Sequence, residues 1–568
     1  MSWWTTTRSY LLPPRITRPH GNAVLNGARA AARAALITLS GLLWAGALAA
    51  APTQSPVGET LYRRGLLSEA VPVQATREAG ATLRGADAAC ANCHRRSGLG
   101  SSEGRITIPP IAGPYLFIAR GQSLEQQGIP FVDTERLNHE AYTDESLARA
   151  IREGIGANGK PLNYLMPRYQ LDDATMAALI EYLKDMKVKS TPGVTSAELH
   201  FATIITPDAD PVKRRGMLDV MNQYFADKNN AAARTKAPTL YSSHAMMFRV
   251  ERRWQLHVWE LSGAPATWDA QLRRLLAAEP VFAVISGLGG SNWGPVEKFC
   301  EEESLPCLFP NVEAPTGQDS DFYSVYFSRG VLLEAQLIAH ELADATERPR
   351  RLVQVYRAGD VGEAAARALQ NTRAGSATPM VNRVLKAHGS PAELAAALRE
   401  VGAADALVLW LRPADLSSLE HVPARAARVW ISGEMGGLEG APLPPEWRTA
   451  TRMAYPVDLP GQRVVRVDYA LGWFRIRKIP VVAQQVQADT YLACGLVSET
   501  LNHMVDAFVR DYLIERIEMA LDHRALTGYY PRLTLAPGQR FASKGGYIVR
   551  FSDPQGPRVA ALGDWITP

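Results

Sequence analysis

The stretch Cys90-Ala-Asn-Cys93-His94 sets two thiols three positions apart, with an imidazole directly after the second. On one helical turn, two such thiols can add to the two vinyl groups of a haem. The histidine is then held beneath the iron as the proximal ligand. Other uses of C-x-x-C fit less well. A structural zinc site needs two further ligands at matching spacing, and the chain has no second C-x-x-C. A thioredoxin-like dithiol follows an apolar strand, whereas Gly85-Ala-Asp-Ala-Ala89 precedes these cysteines. The pattern predicts one covalently bound haem c.

Thioether attachment of haem requires an export route, and the N-terminus reads as one. Arg8, Arg15, Arg18, Arg29 and Arg33 precede an apolar run, Ala34 to Ala51, that ends in Ala47-Leu48-Ala49. This is the pattern of a secretory signal peptide over residues 1–51, and it places the mature protein in the periplasm. The run is short for a membrane span and is diluted by Ser40, Gly41 and Gly46. No membrane span is expected after cleavage, an uncleaved anchor being the lesser reading. The long n-region leaves a start downstream of Met1 open. Removing these five charges takes the formal balance from +4 to −1, so the basicity belongs to targeting. No basic cluster interleaved with aromatics follows, and nucleic acid is excluded as a partner.

Export also bears on the other cysteines. Cys300 and Cys307 flank a short helix-to-strand turn that could close as a local disulfide, the alternative being two buried thiols. Cys494 reads as a small apolar core residue.

Two segments with different periodicity must position these groups. They meet near Lys189-Ser190-Thr191-Pro192-Gly193. The domain boundaries drawn from this are 52–190, a linker at 191–196 and 197–568. In the first segment, Gly58 to Gly65 forms a short opening helix. Thr143 caps another whose first turn carries Asp144 and Glu145. A last helix starts at Asp172 or Asp173, with Met176, Leu179, Ile180 and Leu183 on one buried stripe.

This segment resembles a class I c-type cytochrome domain, an all-α fold with the C-x-x-C-H early and two helices closing over the haem. The resemblance implies a methionine as sixth ligand from the loop before the last helix. Asn163-Tyr-Leu-Met166-Pro167 matches that Met-Pro pattern, with His139 as the rival ligand. Met176 and Met186 read as core, and Met246 and Met247 lie too far along the chain. Pro109-Pro110 resembles the loop whose proline carbonyl holds the other nitrogen of the proximal histidine. Which of the two does so stays open. About two dozen residues before Cys90 exceed the minimal pattern.

The second segment alternates strands with amphipathic helices. Strands are expected at 200–206, 254–261, 281–287, 305–310, 352–357, 406–411 and 428–432, with helices at 330–344, 362–370 and 391–401. Such alternation implies mostly parallel sheets covered on both faces, in two lobes. The order and spacing resemble the type I periplasmic binding proteins, particularly those for branched-chain amino acids and amides. In that family a ligand binds between lobes that close about a hinge. The expected architecture is therefore multidomain, an all-α cytochrome c followed by a two-lobed α/β binding-protein-like domain.

Under that resemblance, Gly289-Gly290-Ser291-Asn292 ahead of a helix at 294–303 could hold a carboxylate, or could be a plain tight turn. Ser286, Tyr326, Ser328 and Glu434 are the other residues expected at the cleft. No hydrolytic or transfer constellation is present in the sequence. Ser286-Gly-Leu-Gly-Gly lacks the residue that a nucleophile elbow needs before its serine. Asp208/Asp210 and Asp319/Asp321 read as caps in turns, and Glu301 to Glu303 as an exposed helix end. The sequence thus points to one-electron transfer with a periplasmic dehydrogenase or another cytochrome as partner. The binding-like domain would dock that partner or sense a small polar ligand. The alternatives are a solute receptor carrying a haem redox module, and a domain serving only as a docking surface.

Overall fold

The computed structural model describes residues 56–568 except 69–70, 104–105, 119–139, 187–190, 235–251, 319–320, 345–347, 427 and 505–506. Residues 1–51, read above as a signal peptide, and His139, Lys189, Ser190, Met246, Met247 and Asp319 therefore lie outside the described residues.

Helix α1 (Pro56–Arg64) and helix α4 (Asp173–Asp185) cross at Gly58, where a Cβ would lie 2.2 Å from the Ala178 carbonyl oxygen. Only glycine permits that approach, which sets Leu61 and Tyr62 against Leu179, Tyr182 and Leu183. Helix α2 is the single turn Ala91–His94. Helix α3 (Asp144–Glu153) begins with a reciprocal cap: Thr143 Oγ1 accepts from Ser146 N, and Thr143 N donates to Ser146 Oγ. Asp172 caps α4 by accepting from Thr175 N at 2.7 Å. The buried face of α4 carries the expected Met176, Leu179, Ile180 and Leu183.

An all-α first domain needs one amendment. The residues ahead of Cys90 form short antiparallel strands, with Gln74–Thr76 lying between Thr82–Arg84 and Arg168–Tyr169. Val73 and Ala75 are buried while Gln74 and Thr76 are exposed, the period-two pattern of a half-buried strand. The added residues thus brace the chain just after Met166.

From residue 198 the chain builds two sheets. The first comprises β1 (Glu198–Ile205), β2 (Arg253–Glu260), β3 (Ala283–Ile285), β4 (Cys307–Leu308) and β5 (Ser324–Val325), with α5 (Pro211–Arg234), α6 (Trp268–Ala278) and α7 (Gly294–Glu302) between them. Its order is β5-β4-β3-β1-β2, all parallel. After α8 (Val331–Asp344) the second follows: β6 (Leu352–Arg357), α9 (Val361–Thr372), β7 (Met380–Leu385), α10 (Pro391–Leu398), β8 (Ala406–Trp410), β9 (Arg428–Ser432) and β10 (Thr451–Tyr455). Its parallel part runs β7-β6-β8-β9-β10.

Both lobes therefore share the doubly wound order 2-1-3-4-5; the parallel sheets in two lobes were expected from the strand–helix alternation, the strand order was not. Helices α11 (Pro460–Arg477), α12 (Gln484–Met504) and α13 (Arg510–Asp522) then lead back past the first lobe. Strands β11 (Tyr547–Phe551) and β12 (Val559–Ala561) finally extend the second sheet antiparallel. The sequence missed strands β5, β7 and β10 to β12 and helices α5, α6 and α11 to α13. Cys494 is fully buried in the core, and Cys300 and Cys307 are joined by a disulfide with Cα atoms 6.2 Å apart.

Candidate functional site

Cys90, Cys93 and His94 share the α2 turn, and His94 N donates to the Cys90 carbonyl at 2.9 Å. The His94 ring is buried, and its Nδ1 lies 3.0 Å from the Pro109 carbonyl oxygen. A carbonyl only accepts, so Nδ1 must carry the proton, leaving the Nε2 lone pair for a metal. Burial moves the imidazole pKa down, against the opposing pull of the Pro109 contact, and so favours the neutral ring a metal requires. Pro109 supplies the carbonyl; Pro110 is buried beside it. Neither Cys90 nor Cys93 is in a disulfide. Burial pushes the Cys90 thiol up to about 11, beside Tyr169, whose hydroxyl donates to the Ala88 carbonyl.

Cys90 and Met166 border the same apolar cluster, which includes Leu61, Leu147, Ile151 and Leu179. Met166 sits in a turn shaped by Asn163, whose side-chain oxygen takes Leu165 N and whose carbonyl takes Met166 N. Pro167 follows, then the strand pairing that ties Arg168 to Thr76. Met176 is on the buried stripe of α4, and Met186 packs against Gly98 in the loop after His94. Two thiols and a correctly protonated imidazole on one turn, next to apolar lining with a thioether at its border, fit a c-type haem.

The second locus lies at the carboxyl ends of the parallel strands, where reversal of strand order opens a crevice in doubly wound sheets. Ser286, directly after β3, exchanges a hydrogen bond with Thr490 of α12 at 3.1 Å and accepts from Asn311 at 2.9 Å. Glu313 receives Lys213 at 2.9 Å and both terminal nitrogens of Arg412 from the second lobe. Arg412 also binds Asp360, the cap of α9. Burial alone would raise the Glu313 pKa, but Lys213 and Arg412 bring it down to about 2. Glu434 belongs to this group: burial raises its pKa, with Glu313 adding to the rise and Lys213 opposing it. Asp489 of α12 is buried and pushed well up by burial, then by Glu434. Its Oδ2 accepts from Tyr530, and its Oδ1 has no partner.

The expectations for the 289–292 loop, Tyr326, Ser328 and Glu301 change. The carboxylate-holding loop is already filled by the chain's own carboxylate: Asp208 takes the N–H and hydroxyl of Ser291, and Gly290 N donates to Thr206. Asn292 bonds only to Ser291 Oγ within this loop. Tyr326 does not face the junction; its ring stacks on Phe541 and its hydroxyl donates to Glu297. Ser328 Oγ accepts from Gly330 N at the entry to α8. Glu301, expected as an exposed helix end, accepts the N–H groups of Phe322, Tyr323 and Ser324. Sequence reasoning missed Glu313, Lys213, Arg412 and Asp489. Only Arg412, immediately past a predicted strand, carried a positional signal.

Residues 78–187 match the cytochrome c family model, and this part of the chain is a cytochrome c domain. Comparison with curated proteins gave no match. Among solved structures, the chain is similar to a fatty acid ABC transporter substrate-binding protein from Thermomonospora curvata. Identity is 14%, covering 67% of this chain and 95% of that one, at a TM-score of 0.44. A possible leucine/isoleucine/valine-binding protein from Rhodopirellula baltica gives 14%, 66%, 98% and 0.48 in the same order. A leucine-binding protein from Thermotoga maritima gives 10%, 65%, 99% and 0.45. No described helix is long and apolar enough to cross a membrane.

Proposed function

We propose that this chain is an extracytoplasmic mono-haem electron-transfer protein whose second domain binds a small ligand or docks the redox partner. The observation that carries the reading is the Nδ1 contact between His94 and Pro109, on the turn that presents Cys90 and Cys93. When bound, haem c supplies a one-electron Fe(III)/Fe(II) couple. Cys90 and Cys93 would anchor it, and His94 would offer Nε2. Met166 would close the opposite side, raising the potential relative to imidazole. The apolar cluster around Cys90 would exclude water from the site.

A periplasmic dehydrogenase or another cytochrome is the partner class that such a couple serves, and the signal-like N-terminus supports that compartment. For the second domain, the paired 2-1-3-4-5 sheets and the polar junction at their strand ends support ligand binding. Protein produced with a cytochrome c maturation system should retain haem through acid–acetone extraction. Complete loss of haem from a correctly matured sample would remove the reading.

A further inference from the structure

Helix α13 presents Asp511, Glu515 and Glu518 at i, i+4 and i+7, on one face turned to the cytochrome domain. Asp511 meets Arg63 at 3.5 Å, and Glu518 pairs with Arg95, the residue after the proximal histidine. Glu515 is held differently. It is 3% exposed, and its two oxygens take Ser97 N at 2.9 Å and Ser97 Oγ at 2.6 Å.

Ser97 belongs to the loop that builds the proximal side. Its Oγ accepts from Leu99 N at 3.1 Å, and Gly100 N donates to the His94 carbonyl at 3.1 Å. At Gly100, φ is +73° and a Cβ would lie 2.2 Å from the Ile108 oxygen and 2.9 Å from the Pro109 oxygen. The loop therefore packs backbone to backbone on the carbonyl that holds His94 Nδ1. A carboxylate on another domain is connected to the proximal ligand through one loop.

We propose that Glu515 is a positioning residue of the haem site, supplied by the second domain, which holds the Pro109–His94 contact through Ser97 and tunes the potential by its own charge. The inference rests on the haem reading above. On its own helix Glu515 faces the acid Asp511, which Arg63 and Tyr323 hold, and Glu518, which Arg540 holds. From the cytochrome side it faces Arg95 and Tyr62. Burial is the largest influence on its pKa and Asp511 adds to it. Ser97 and Arg95 oppose them, and the net position is about 7. A negative charge on Glu515 would favour the oxidised form of a haem held at His94, so reduction would be accompanied near neutral pH by uptake of up to one proton from water at Glu515.

The test is a redox titration of the matured, haem-loaded full chain across pH. The wild-type midpoint should fall as pH rises through about 7 and level off on either side. Glu515→Gln should lose that fall and hold the acid-side potential. Glu515→Asp should keep it. Ser97→Ala removes a hydrogen bond that favours the carboxylate, so its inflection should move to higher pH. A redox-difference infrared spectrum should show a carboxylic C=O band on reduction that Glu515→Gln lacks. A reversible wave with the same slope in Glu515→Gln overturns the proposal alone. If that variant does not fold, an unmoved inflection in Ser97→Ala does so. A wild-type chain without a reversible wave overturns the haem reading together with it.

Discussion

Glu313 and Arg412 meet through two hydrogen bonds, Nη1 to Oε1 at 3.0 Å and Nη2 to Oε2 at 2.7 Å, and so join the first lobe to the second. Lys213 approaches the same Oε1 at 2.9 Å. Two lobes with the same sheet order are thus held together by charge at the locus where ligands enter such folds.

Glu313→Gln should destabilise the chain by about 2 kcal/mol. That is below the ~3–5 kcal/mol for breaking a fully buried pair, because Arg412 keeps Asp360 and is partly exposed. The pH dependence has a definite sign. A carboxyl brought down to about 2 contributes stability above its unfolded pKa of about 4.3, and that stability is lost as pH falls through about 2. Urea unfolding at neutral pH and on the acid side, wild type against variant, reads both effects.

Glu515 gives the opposite dependence. Its folded pKa of about 7 exceeds the unfolded value, so the folded chain holds a proton there that the unfolded chain has lost. Its contribution is full below about pH 4.3 and declines as pH rises to about 7, by at most about 1.4 kcal/mol per pH unit. Glu515→Gln should flatten this slope in denaturant titrations of the same holoprotein. A parallel slope in wild type and variant would assign the proton elsewhere.

Much of this was legible from the sequence for a physical reason. The haem turn is a local pattern, since Cys90, Cys93 and His94 need only one helical turn to converge. The strands at 352–357 and 428–432 were placed to the residue because both are short apolar runs ended by charge or turn residues. Tyr326 was misplaced because its direction depends on Phe541, more than two hundred residues later, pairing beside it. Glu313 was missed because Arg412, which defines its role, lies on the other lobe. The face of α13 carried a readable i, i+4, i+7 acidic stripe, yet nothing local said that Arg63, Ser97 and Arg95 would cover it.

The sixth ligand is a separate matter. Met166 follows the Asn163 turn at the border of the apolar cluster, whereas Met176 is buried on α4 and Met186, half-buried, packs against Gly98. The ferric protein should show the weak near-infrared band of iron–methionine ligation, and Met166→Ala should abolish it. Met166→His should stay low-spin with a lower potential, because imidazole favours Fe(III) more than a thioether does. Persistence of the band in Met166→Ala would move the assignment to another methionine.

The Cys300–Cys307 disulfide closes a loop of eight residues between α7 and β4. Constraining so short a loop in the unfolded chain stabilises by about 2.5 kcal/mol in the chain-entropy treatment. The double Cys300→Ala, Cys307→Ala variant should unfold at correspondingly lower urea, and dithiothreitol should lower the wild type alone. Equal sensitivity of both to the reductant would point to another thiol.

If the junction between the lobes takes a ligand, as proposed above, its charges would discriminate among ligand classes. Asp208 already occupies the N–H of Ser291, so a ligand carboxylate would have to displace a carboxylate of the chain. Glu434 and Asp489 are buried acids with raised pKa values, and Asp489 Oδ1 has no partner. A small organic ammonium ion entering there would supply the missing charge and donors, whereas a monocarboxylate would add like charge. Stabilisation by a ligand follows RT ln(1 + [L]/Kd), so weak binders register at high concentration. In a thermal-shift comparison of alkylammonium ions with carboxylates of matched size, the ammonium ions should raise Tm. Because binding favours the ionised acids, the increment should grow from mildly acidic to mildly alkaline pH. Asp489→Asn, which keeps the shape and removes the charge, should reduce it. A larger shift with carboxylates, or an ammonium shift unchanged in Asp489→Asn, would place recognition on other residues.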